Sequence, residues 1–473
     1  MRNLYQDIST CIPNKTAIIY DDKEVSYKEF LAIIDRFAGL LIEKGAQMGE
    51  RVALIGLNRL NFLAAVYGCF KVGVVAVPLD ADDQVRAQAA MQNAKVRIVI
   101  DRLPETSVDS CVQNTQEAMI IFTSGTTSEG RKGVILGHEG IGSTADFMNS
   151  AMAVDSSIIE CVYAPLDHAF AFGRCHAVLM AQGTLHLGKD PLIGYDSLFV
   201  ALNRYQCNSL GIVPSVLSSL MKVAPKRFVE AAQELRWIQT GAMRFDKKFR
   251  DLLCESLPNC RIFLHYGLSE AMRATFFDLS SMINKRNTEG KAAEGVEIGI
   301  FGENGEMLGP DEEGIIAVLG RNLALGYTDQ KLWQASYRDG WFFSSDRGKL
   351  DKDGYLIFVG RDDDVINTNG ILVHPDEIET RLEALFPTQA FSVVGVDDPK
   401  GIRDKVIVLC VEGKTNVTIT DVALILANSE QYMIPAQLRC VETLPRTHSG
   451  KVMRRKLASD LSEIMKNEIQ SNA

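Results

Sequence analysis

An excess of positive charge is the first feature that this sequence lacks. Its 473 residues carry a formal net charge of −10, which argues against nucleic acid as the main partner because phosphate contacts need a basic surface. A local basic pocket for one nucleotide is still compatible with that charge. Apolar residues make up 46% of the chain and charged residues 23%, as in an ordinary globular protein with buried cores.

Cysteines with metal or redox spacing are also missing. The ten cysteines include Cys69, Cys161, Cys254 and Cys260, and none belongs to a CxxC pair or to a Cys/His cluster with zinc spacing. We expect buried or free thiols in a reducing compartment.

Long apolar runs are absent as well. The first ten residues, MRNLYQDIST, contain no signal-peptide core. The longest apolar stretch, Leu63 to Leu79, is interrupted by Lys71 and by two glycines, which favours a buried helix that runs into a strand over a membrane span. The sequence therefore predicts a cytoplasmic protein with no membrane-spanning segment.

Short apolar runs alternate with helical patterns in the first part of the chain. Val52–Ile55, Val74–Val77 and Ile98–Ile100 are predicted to be buried strands, and Phe30–Lys44 a helix, because its apolar residues recur three and four positions apart. This alternation predicts an α/β fold with largely parallel sheets.

The pattern changes towards the C-terminal third. Frequent glycines and short strands predict a β-rich part at about residues 290–360 within a large N-terminal domain, residues 1–360. Three consecutive aspartates then follow Arg361, and such like charges disfavour burial. We expect a surface hinge at residues 361–364 and a smaller C-terminal domain from residue 361 to 473.

The segment from Ile121 to Val134 has the composition of a phosphate-binding loop. Its sequence, IFTSGTTSEGRKGV, places hydroxyls, glycines and two cations between apolar flanks. Glycines let the backbone approach phosphate oxygens, hydroxyls and N–H groups donate hydrogen bonds, and a cation adds charge. The candidate phosphate-binding residues are Thr123, Ser124, Gly125, Thr126, Thr127 and Lys132.

The P-loop of nucleotide hydrolases is the nearest alternative, since Gly125 and Gly130 have its spacing. However, Arg131 stands at the lysine position, and Gly133 replaces the Ser or Thr that would hold Mg²⁺. We therefore reject a P-loop.

The same loop resembles the signature TSGTTGxPKGV of the adenylate-forming superfamily, which includes acyl-CoA synthetases, luciferases and the adenylation domains of peptide synthetases. Relative to that signature, Ser128 replaces a glycine, the proline is absent and one residue is inserted. We expect these departures to alter ATP handling without abolishing it.

Three further motifs follow in the order typical of the superfamily. HYGLSE at residues 265–270 resembles YGxTE, DGWFFSSDRG at 339–348 resembles DGWxxTGDxG, and LPRTHSGKVMR at 444–454 resembles PRTxSGKxxR. The resemblance covers nearly the whole chain. It implies a large N-terminal domain of two α/β subdomains and a β-rich subdomain, followed by a small mobile α+β domain.

The resemblance also implies roles for single residues of the second motif. Tyr266, beside Gly267, would stack on adenine, Ser269 would meet the α-phosphate, and Glu270 would hold Mg²⁺.

The later motifs supply the other implied roles. Asp346 and Arg361 would contact the ribose hydroxyls, and Asp363 would be the hinge position. Lys451 would bridge the substrate carboxylate and the α-phosphate during adenylation.

By the same resemblance, the protein would use ATP and Mg²⁺ to convert a carboxylic acid into an acyl-adenylate. The small domain would then rotate, remove Lys451 and admit the thiol of CoA or of a carrier protein's pantetheine arm. Any carrier would be a separate protein, because no DSL-like attachment site is present. No protein nucleophile is required, which agrees with the lack of a GxSxG elbow.

The acyl pocket is predicted to be lined from residues 163–173, 211–214 and 241–243. The candidate lining residues are His168, Ala169, Phe172, Gly241 and Ala242. Amino-acid-activating relatives place an aspartate where Ala169 stands, although Asp167 is close by. An acid without an α-amino group, with an apolar or aromatic body, is therefore favoured.

Two alternatives stay open. An amino-acid-activating enzyme that loads a separate carrier protein would share all four motifs. A family member that binds ATP or AMP without turnover would account for the altered residues Ser128–Arg131, but Glu270, Asp346, Arg361 and Lys451 are all present.

Overall fold

The structure is a computed structural model of the chain. It describes residues 1–81, 83–105, 110–122, 132–188, 195–241, 247–368, 371–386, 389–398, 405–426, 433–447 and 452–471. None of the helices in these ranges is long and apolar enough to cross a membrane.

Helices occur along the whole chain. They are α1 (Leu4–Ser9), α2 (Tyr27–Glu43), α3 (Arg59–Lys71), α4 (Gln84–Asn93), α5 (His138–Met152), α6 (Ala169–Met180), α7 (Asp196–Asn203), α8 (Pro214–Val223), α9 (Pro225–Ala231), α10 (Lys247–Ser256), α11 (Gln330–Ser336), α12 (Pro375–Leu385), α13 (Ile419–Ile425) and α14 (Arg454–Ser471). Short 3₁₀ turns lie at Ile283–Lys285 and Asp362–Asp364.

Strands alternate with these helices. They are β1 (Thr16–Tyr20), β2 (Lys23–Ser26), β3 (Arg51–Ile55), β4 (Val75–Leu79), β5 (Ile98–Ile100), β6 (Glu117–Phe122), β7 (Gly133–Gly137), β8 (Ile159–Val162), β9 (Thr184–Leu187), β10 (Ser209–Gly211), β11 (Trp237–Gly241), β12 (Arg261–His265), β13 (Thr275–Asp278), β14 (Lys291–Ala292), β15 (Val296–Phe301), β16 (Gly314–Gly320), β17 (Gly326–Tyr327), β18 (Tyr337–Arg338), β19 (Trp341–Leu350), β20 (Leu356–Arg361), β21 (Ile366–Thr368), β22 (Ile371–Val373), β23 (Phe391–Asp397), β24 (Lys405–Glu412) and β25 (Gln437–Val441).

The predicted elements are confirmed, with shifted ends that local chemistry explains. The expected helix at Phe30–Lys44 is α2, which starts three residues earlier because Ser26 and Glu29 form a capping box. It stops before Gly45, whose φ of 70° lies in the left-handed region that ends helices. The apolar stretch from Leu63 is α3 followed by β4, as predicted.

The first of two α/β sheets has the strand order β17-β7-β6-β4-β3-β5. Strands β3, β4, β5 and β6 are parallel, and β7 and β17 are added antiparallel at one edge. The central strands are buried on both faces, which is why their sequences are continuous apolar runs.

The second α/β sheet has the order β14-β13-β12-β11-β10-β8-β9-β1-β2. Its interior from β12 to β1 is parallel, and its outer strands β2, β13 and β14 are antiparallel. The carboxyl ends of parallel strands are where open α/β sheets bind ligands. Here the segments after β8, β10, β11 and β12 therefore define the edge to examine.

The β-rich region is less self-contained than the sequence suggested. Strands β15, β16, β19, β18 and β20 form an antiparallel sheet. However, β14 joins the second α/β sheet and β17 joins the first one. Residues 290–360 therefore contribute to three sheets, because these two short strands pair with partners far away in sequence.

A segment from Asn322 to Thr328 connects these layers. Its start pairs with the end of the second α/β sheet, since the Ala324 N–H donates to the carbonyl of Glu270 at 2.8 Å. Its end pairs with the first α/β sheet through the β17–β7 ladder. We call Asn322–Thr328 the bridging segment.

The part of the chain from Ile366 has hydrophobic cores of its own. One core lies between α12, α13 and the sheet β23-β24-β25, and another lies under α14. The cores of the N-terminal part contain described residues only up to Phe358. This separation supports a domain boundary near residues 361–364, which stays a prediction.

One buried ion cluster holds the C-terminal part together. The Arg454 guanidinium at the start of α14 donates to Asp364 and Asp376 at 2.7 Å each, and to Glu379 at 2.6 Å. Burial raises the pKa of Glu379 to about 7 in spite of the neighbouring cation. The acidic run is thus not purely a surface feature, because Arg454 neutralises Asp364.

Replacing Arg454 with methionine should destabilise the C-terminal part. It would leave three carboxylates close together without their cation, at a cost of roughly 3–5 kcal/mol. Thermal and urea unfolding of the full chain would measure this, with Lys456→Met, an exposed position on the same helix, as the control. Equal stability of the two variants would contradict the clamping role.

Candidate active site

The best-defined polar constellation lies where β12 leaves the second α/β sheet. The Tyr266 hydroxyl donates to Asp346 Oδ2 at 2.8 Å, and Arg361 Nε donates to Asp346 Oδ1 at 2.9 Å. Asp346 on β19 and Arg361 on β20 are direct partners in the strand ladder. Sheet register therefore brings together two residues that the sequence separates by a turn.

Tyr266 and Asp346 of this constellation are buried. Asp346 is only 3% exposed and forms an ion pair with Arg361. Burial, with Asp346 adding to it, raises the pKa of the Tyr266 hydroxyl well above its usual value. Tyr266 therefore stays a hydrogen-bond donor at neutral pH.

A second constellation surrounds Glu270. The Tyr327 hydroxyl, on the bridging segment, donates to Glu270 Oε1 at 2.6 Å. Lys132 lies over the Tyr327 ring, with Nζ 5.4 Å from its centroid, a cation–π distance. The loop that precedes β7 thus ends next to the YGxTE-like motif, although the two belong to different sheets.

Two glycines of the predicted site are required by close backbone approach. A Cβ at Gly267 would lie 2.5 Å from the backbone nitrogen of Arg273. A Cβ at Gly241, whose φ is +152°, would lie 2.3 Å from the carbonyl oxygen of His265. No larger residue fits at either position without displacing backbone, so these glycines let neighbouring strand ends come together.

The predicted acyl-pocket segment surrounds the start of α6. His168 is the N-cap residue of this helix, and Ala169 is its first residue. Phe170 projects towards the second α/β sheet, where its ring stacks on His265 with centroids 5.5 Å apart. Gly173, one helical turn later, faces the guanidinium of Arg273.

The side chain of Phe172 packs in the core, and its role in lining the pocket stays a prediction. Phe172 is 1% exposed, and its ring contacts the core residues Tyr67 and Phe70. On a helix it lies about 200° around the axis from Phe170, so the two rings cannot share a face. Phe170, not Phe172, lies beside Gly211 and His265.

Two charged or polar residues of this region escaped the sequence reasoning. Arg273 is buried between α6 and the end of β12, and Tyr327 is the partner of Glu270. An arginine within the otherwise apolar string AMRATFF was a usable signal for the first. No sequence signal indicated Tyr327, because its position depends on the pairing of β17 with β7.

Several predicted residues lie outside the described part of the chain. They are Thr123, Ser124, Gly125, Thr126, Thr127, Ala242 and Lys451, together with the side chain of Asp363. Their neighbours are described: Lys132 contacts Tyr327, and a bridge between Arg446 and Val452 brackets the predicted catalytic lysine. Ser269 is half-buried between Gly267 and Glu270.

The chain is similar to known proteins along most of its length. A family model described as "AMP-binding enzyme" matches residues 8–116 and 99–328. A feruloyl-CoA synthase from Amycolatopsis sp. is 27% identical, over 93% of this chain and 95% of its own. A 2-succinylbenzoate–CoA ligase from Listeria monocytogenes serovar 1/2a is 26% identical, over 97% of this chain and 99% of its own.

Structural similarity extends over the whole chain. An o-succinylbenzoate coenzyme A synthetase from Bacillus subtilis, solved with ATP and a magnesium ion, has a TM-score of 0.82 at 23% identity and covers 97% of this chain and 99% of its own. The family model, the relatives and the fold together define an adenylate-forming enzyme of the acid–thiol ligase class. The chain belongs to the AMP-binding enzyme family.

The acidic groups fit the magnesium ion that such enzymes use. Among the described residues, no group of three or more His, Cys, Asp or Glu could hold a metal alone. Mg²⁺ is commonly held by one or two carboxylates together with substrate phosphates, and Glu270 is a carboxylate next to the cationic loop end. The donor set therefore suits an ion that arrives with ATP.

Replacing Asp346 with asparagine should weaken AMP binding. The change keeps the shape but removes the charge that holds Arg361 and accepts the Tyr266 hydrogen bond, so the dissociation constant should rise on the order of 10- to 100-fold. Calorimetric titration with AMP measures this. Asp353→Asn, whose side chain is 66% exposed, is the control, and an unchanged Asp346→Asn affinity would contradict the assignment.

Proposed function

We propose that this protein activates a carboxylic acid with ATP to form an acyl-adenylate, and then transfers the acyl group to the thiol of CoA. One observation carries the assignment of residues: Tyr266, Asp346 and Arg361 converge from three separate segments, and Glu270 follows Tyr266 on the first of these segments. Their motifs are those that the family resemblance associates with the nucleotide.

The first half-reaction needs charge compensation more than a protein nucleophile. A carboxylate oxygen of the acid attacks the α-phosphorus of ATP, the bond from that phosphorus to the bridging oxygen breaks, and pyrophosphate leaves. Anionic oxygens crowd together in this transition state, so fixed cations there accelerate the reaction. Bound Mg²⁺ supplies part of that compensation at the phosphates.

Residues of the chain bind and orient the substrates. Asp346 and Arg361 hold the ribose, and Lys132, which lies near Glu270, offsets the negative charge of the phosphates. Tyr327 orients the Glu270 carboxylate through its 2.6 Å hydrogen bond. Lys451 reaches the carboxylate and the α-phosphate from the C-terminal part, a role that its motif predicts.

The second half-reaction requires the lysine to leave. The CoA thiolate attacks the acyl carbonyl carbon, and the bond to AMP breaks. Rotation at residues 361–364 would exchange Lys451 for a thiol channel, with Asp363 as the expected pivot. The 3₁₀ turn at Asp362–Asp364, between β20 and β21, is a short connection suited to such a change.

The buried charge of the predicted pocket disfavours a cationic group at its inner end. Arg273 and Arg174 lie behind Phe170, and Glu160, the carboxylate nearest to them, is already paired with Arg174. An ammonium group placed there would face like charge in a low-dielectric region. The argument against an α-amino acid comes from Ala169, which stands where amino-acid-activating relatives place an aspartate, and we therefore prefer an acid without an α-amino group.

Replacing Lys451 with alanine should separate the two half-reactions. Acid-dependent exchange of pyrophosphate into ATP should fall at least about 100-fold, since a cation is lost from the transition state. Thioester formation from preformed acyl-adenylate should be nearly unchanged. Lys456→Ala is the control; loss of both half-reactions, or of neither, would refute the assignment of Lys451.

The acceptor can be identified by direct competition. Acyl-adenylate formed on the enzyme is offered CoA, free pantetheine or a pantetheinylated carrier protein, and each thioester is quantified. We expect CoA to be acylated fastest. Faster acylation of a carrier would favour the carrier-loading alternative. The cytoplasmic location stays a prediction.

A further inference from the structure

Arg273 is a buried cation without an anionic partner in the described part of the chain. It is 3% exposed, and its Nη2 donates to the carbonyl of Phe170 at 2.8 Å. Its Nε is buried and contacts no acceptor among the residues that the structure describes. A buried guanidinium is costly unless a charge or several acceptors compensate it.

The nearest carboxylate is committed elsewhere. Glu160 is fully buried and makes a two-point ion pair with Arg174, through Nε at 2.8 Å and through Nη2. Glu160 also accepts from the Ser209 hydroxyl at 3.3 Å. Two buried arginines therefore share a single acid, and the cluster has a net positive charge.

Burial and the positive charge of this cluster lower the pKa values of His265 and Arg273. Burial, with the two arginines adding to it, lowers the pKa of His265 well below its usual value, so His265 is neutral. Burial also lowers the pKa of Arg273 to about 9, which leaves it cationic at neutral pH. The cluster is thus prepared for an anion and does not neutralise itself by losing a proton.

Further unpartnered polar atoms lie at the same edge of the sheet. Within the described residues, His265 Nδ1, Gln239 Oε1 and Thr240 Oγ1 are buried without a hydrogen-bond partner. Gln239 and Thr240 immediately precede Gly241, the last residue of β11, and Gly241 pairs with His265, the last residue of β12. Gln239 and His265 lie on the same face of the sheet, and Thr240 lies on the opposite face. Polar groups collected without partners at the carboxyl end of a parallel sheet indicate a ligand.

The position of the cluster is set by the elements of the predicted acyl pocket. Arg273 contacts Phe170 and Gly173 on α6, and Phe170 in turn stacks on His265. Glu270, three residues before Arg273, accepts a hydrogen bond from Tyr327, the residue over which Lys132 lies. A substrate between Glu270 and α6 would have its reacting carboxylate at one end and Arg273 at the other.

We propose that Arg273 forms an anion-binding subsite at the inner end of the acyl pocket, and that the acid activated carries a second carboxylate which pairs with Arg273. This inference rests on the proposed function. Arginine suits the task because its planar fork binds carboxylate through two parallel hydrogen bonds.

Matched acid pairs test the subsite. Linear α,ω-dicarboxylic acids of three to eight carbons are compared with monocarboxylic acids of equal length, and 3-(4-carboxyphenyl)propionate with 3-phenylpropionate. The readout is kcat/KM for acid-dependent pyrophosphate release by the full chain. We expect at least one dicarboxylate to exceed its monocarboxylate partner on the order of 100-fold.

Variants then assign the preference to Arg273. Arg273→Met should remove the preference by lowering kcat/KM for the dicarboxylate alone, through KM, while Arg273→Lys should retain part of it. Arg321→Met, a change at an exposed arginine next to the bridging segment, is the control. AMP binding by calorimetry confirms that each variant is folded, and if Arg273→Met does not fold, the wild-type pairs and Arg273→Lys decide the question.

The outcomes separate the two proposals. Equal kcat/KM within every pair, or equal losses for both members of a pair in Arg273→Met, would overturn the subsite and leave the acid–thiol ligase standing. No pyrophosphate release with any acid would overturn the proposed function itself. A dicarboxylate preference that Arg273→Met abolishes supports both.

Discussion

The pairing of β17 with β7 is the constraint on which the arrangement of the site depends. The bridging segment leaves the β-rich sheet, pairs with Glu270 through the Ala324 N–H, and then enters the first α/β sheet as a short edge strand. Three sheets are thereby fixed against one another by backbone hydrogen bonds. The same pairing carries the Tyr327 hydroxyl to Glu270 and sets Lys132, at the end of the predicted phosphate-binding loop, over the Tyr327 ring.

Three arginines, two of them buried and one partly buried, show how differently the protein treats the same charge. Arg174 has one carboxylate, Glu160, and together they form a closed pair in the core. Arg454 has three carboxylates, so the excess is negative and the pKa of Glu379 rises. Arg273 has none among the described residues. In the first two arrangements, carboxylates of the protein compensate the arginine charge. The charge of Arg273 has no such partner among the described residues, which is why we expect substrate specificity to depend on it.

The sequence was informative wherever a feature is local. The strands β3, β4 and β5 were predicted from apolar runs, and α2 from its periodicity, because burial on both faces or on one stripe leaves a direct pattern. The motifs pointed to Tyr266, Glu270, Asp346 and Arg361 because their chemistry depends on residue type. The sequence did not reveal Tyr327 or the role of Arg273, since both depend on pairings between distant segments. The sequence could not tell Phe170 from Phe172, because two aromatic residues in one helical turn look alike until the helix has a defined face.

The Arg454 cluster also bears on how this chain could be recombined with a relative. Asp364 belongs to the turn after β20, yet its charge is balanced by the first residue of α14, ninety positions later. A crossover placed before Asp364 keeps the donor and all three acceptors in one parental sequence. A crossover only a few residues later would divide the cluster between two parents. The segment to exchange as a whole therefore begins at Asp364 and not at β21, the first strand that follows.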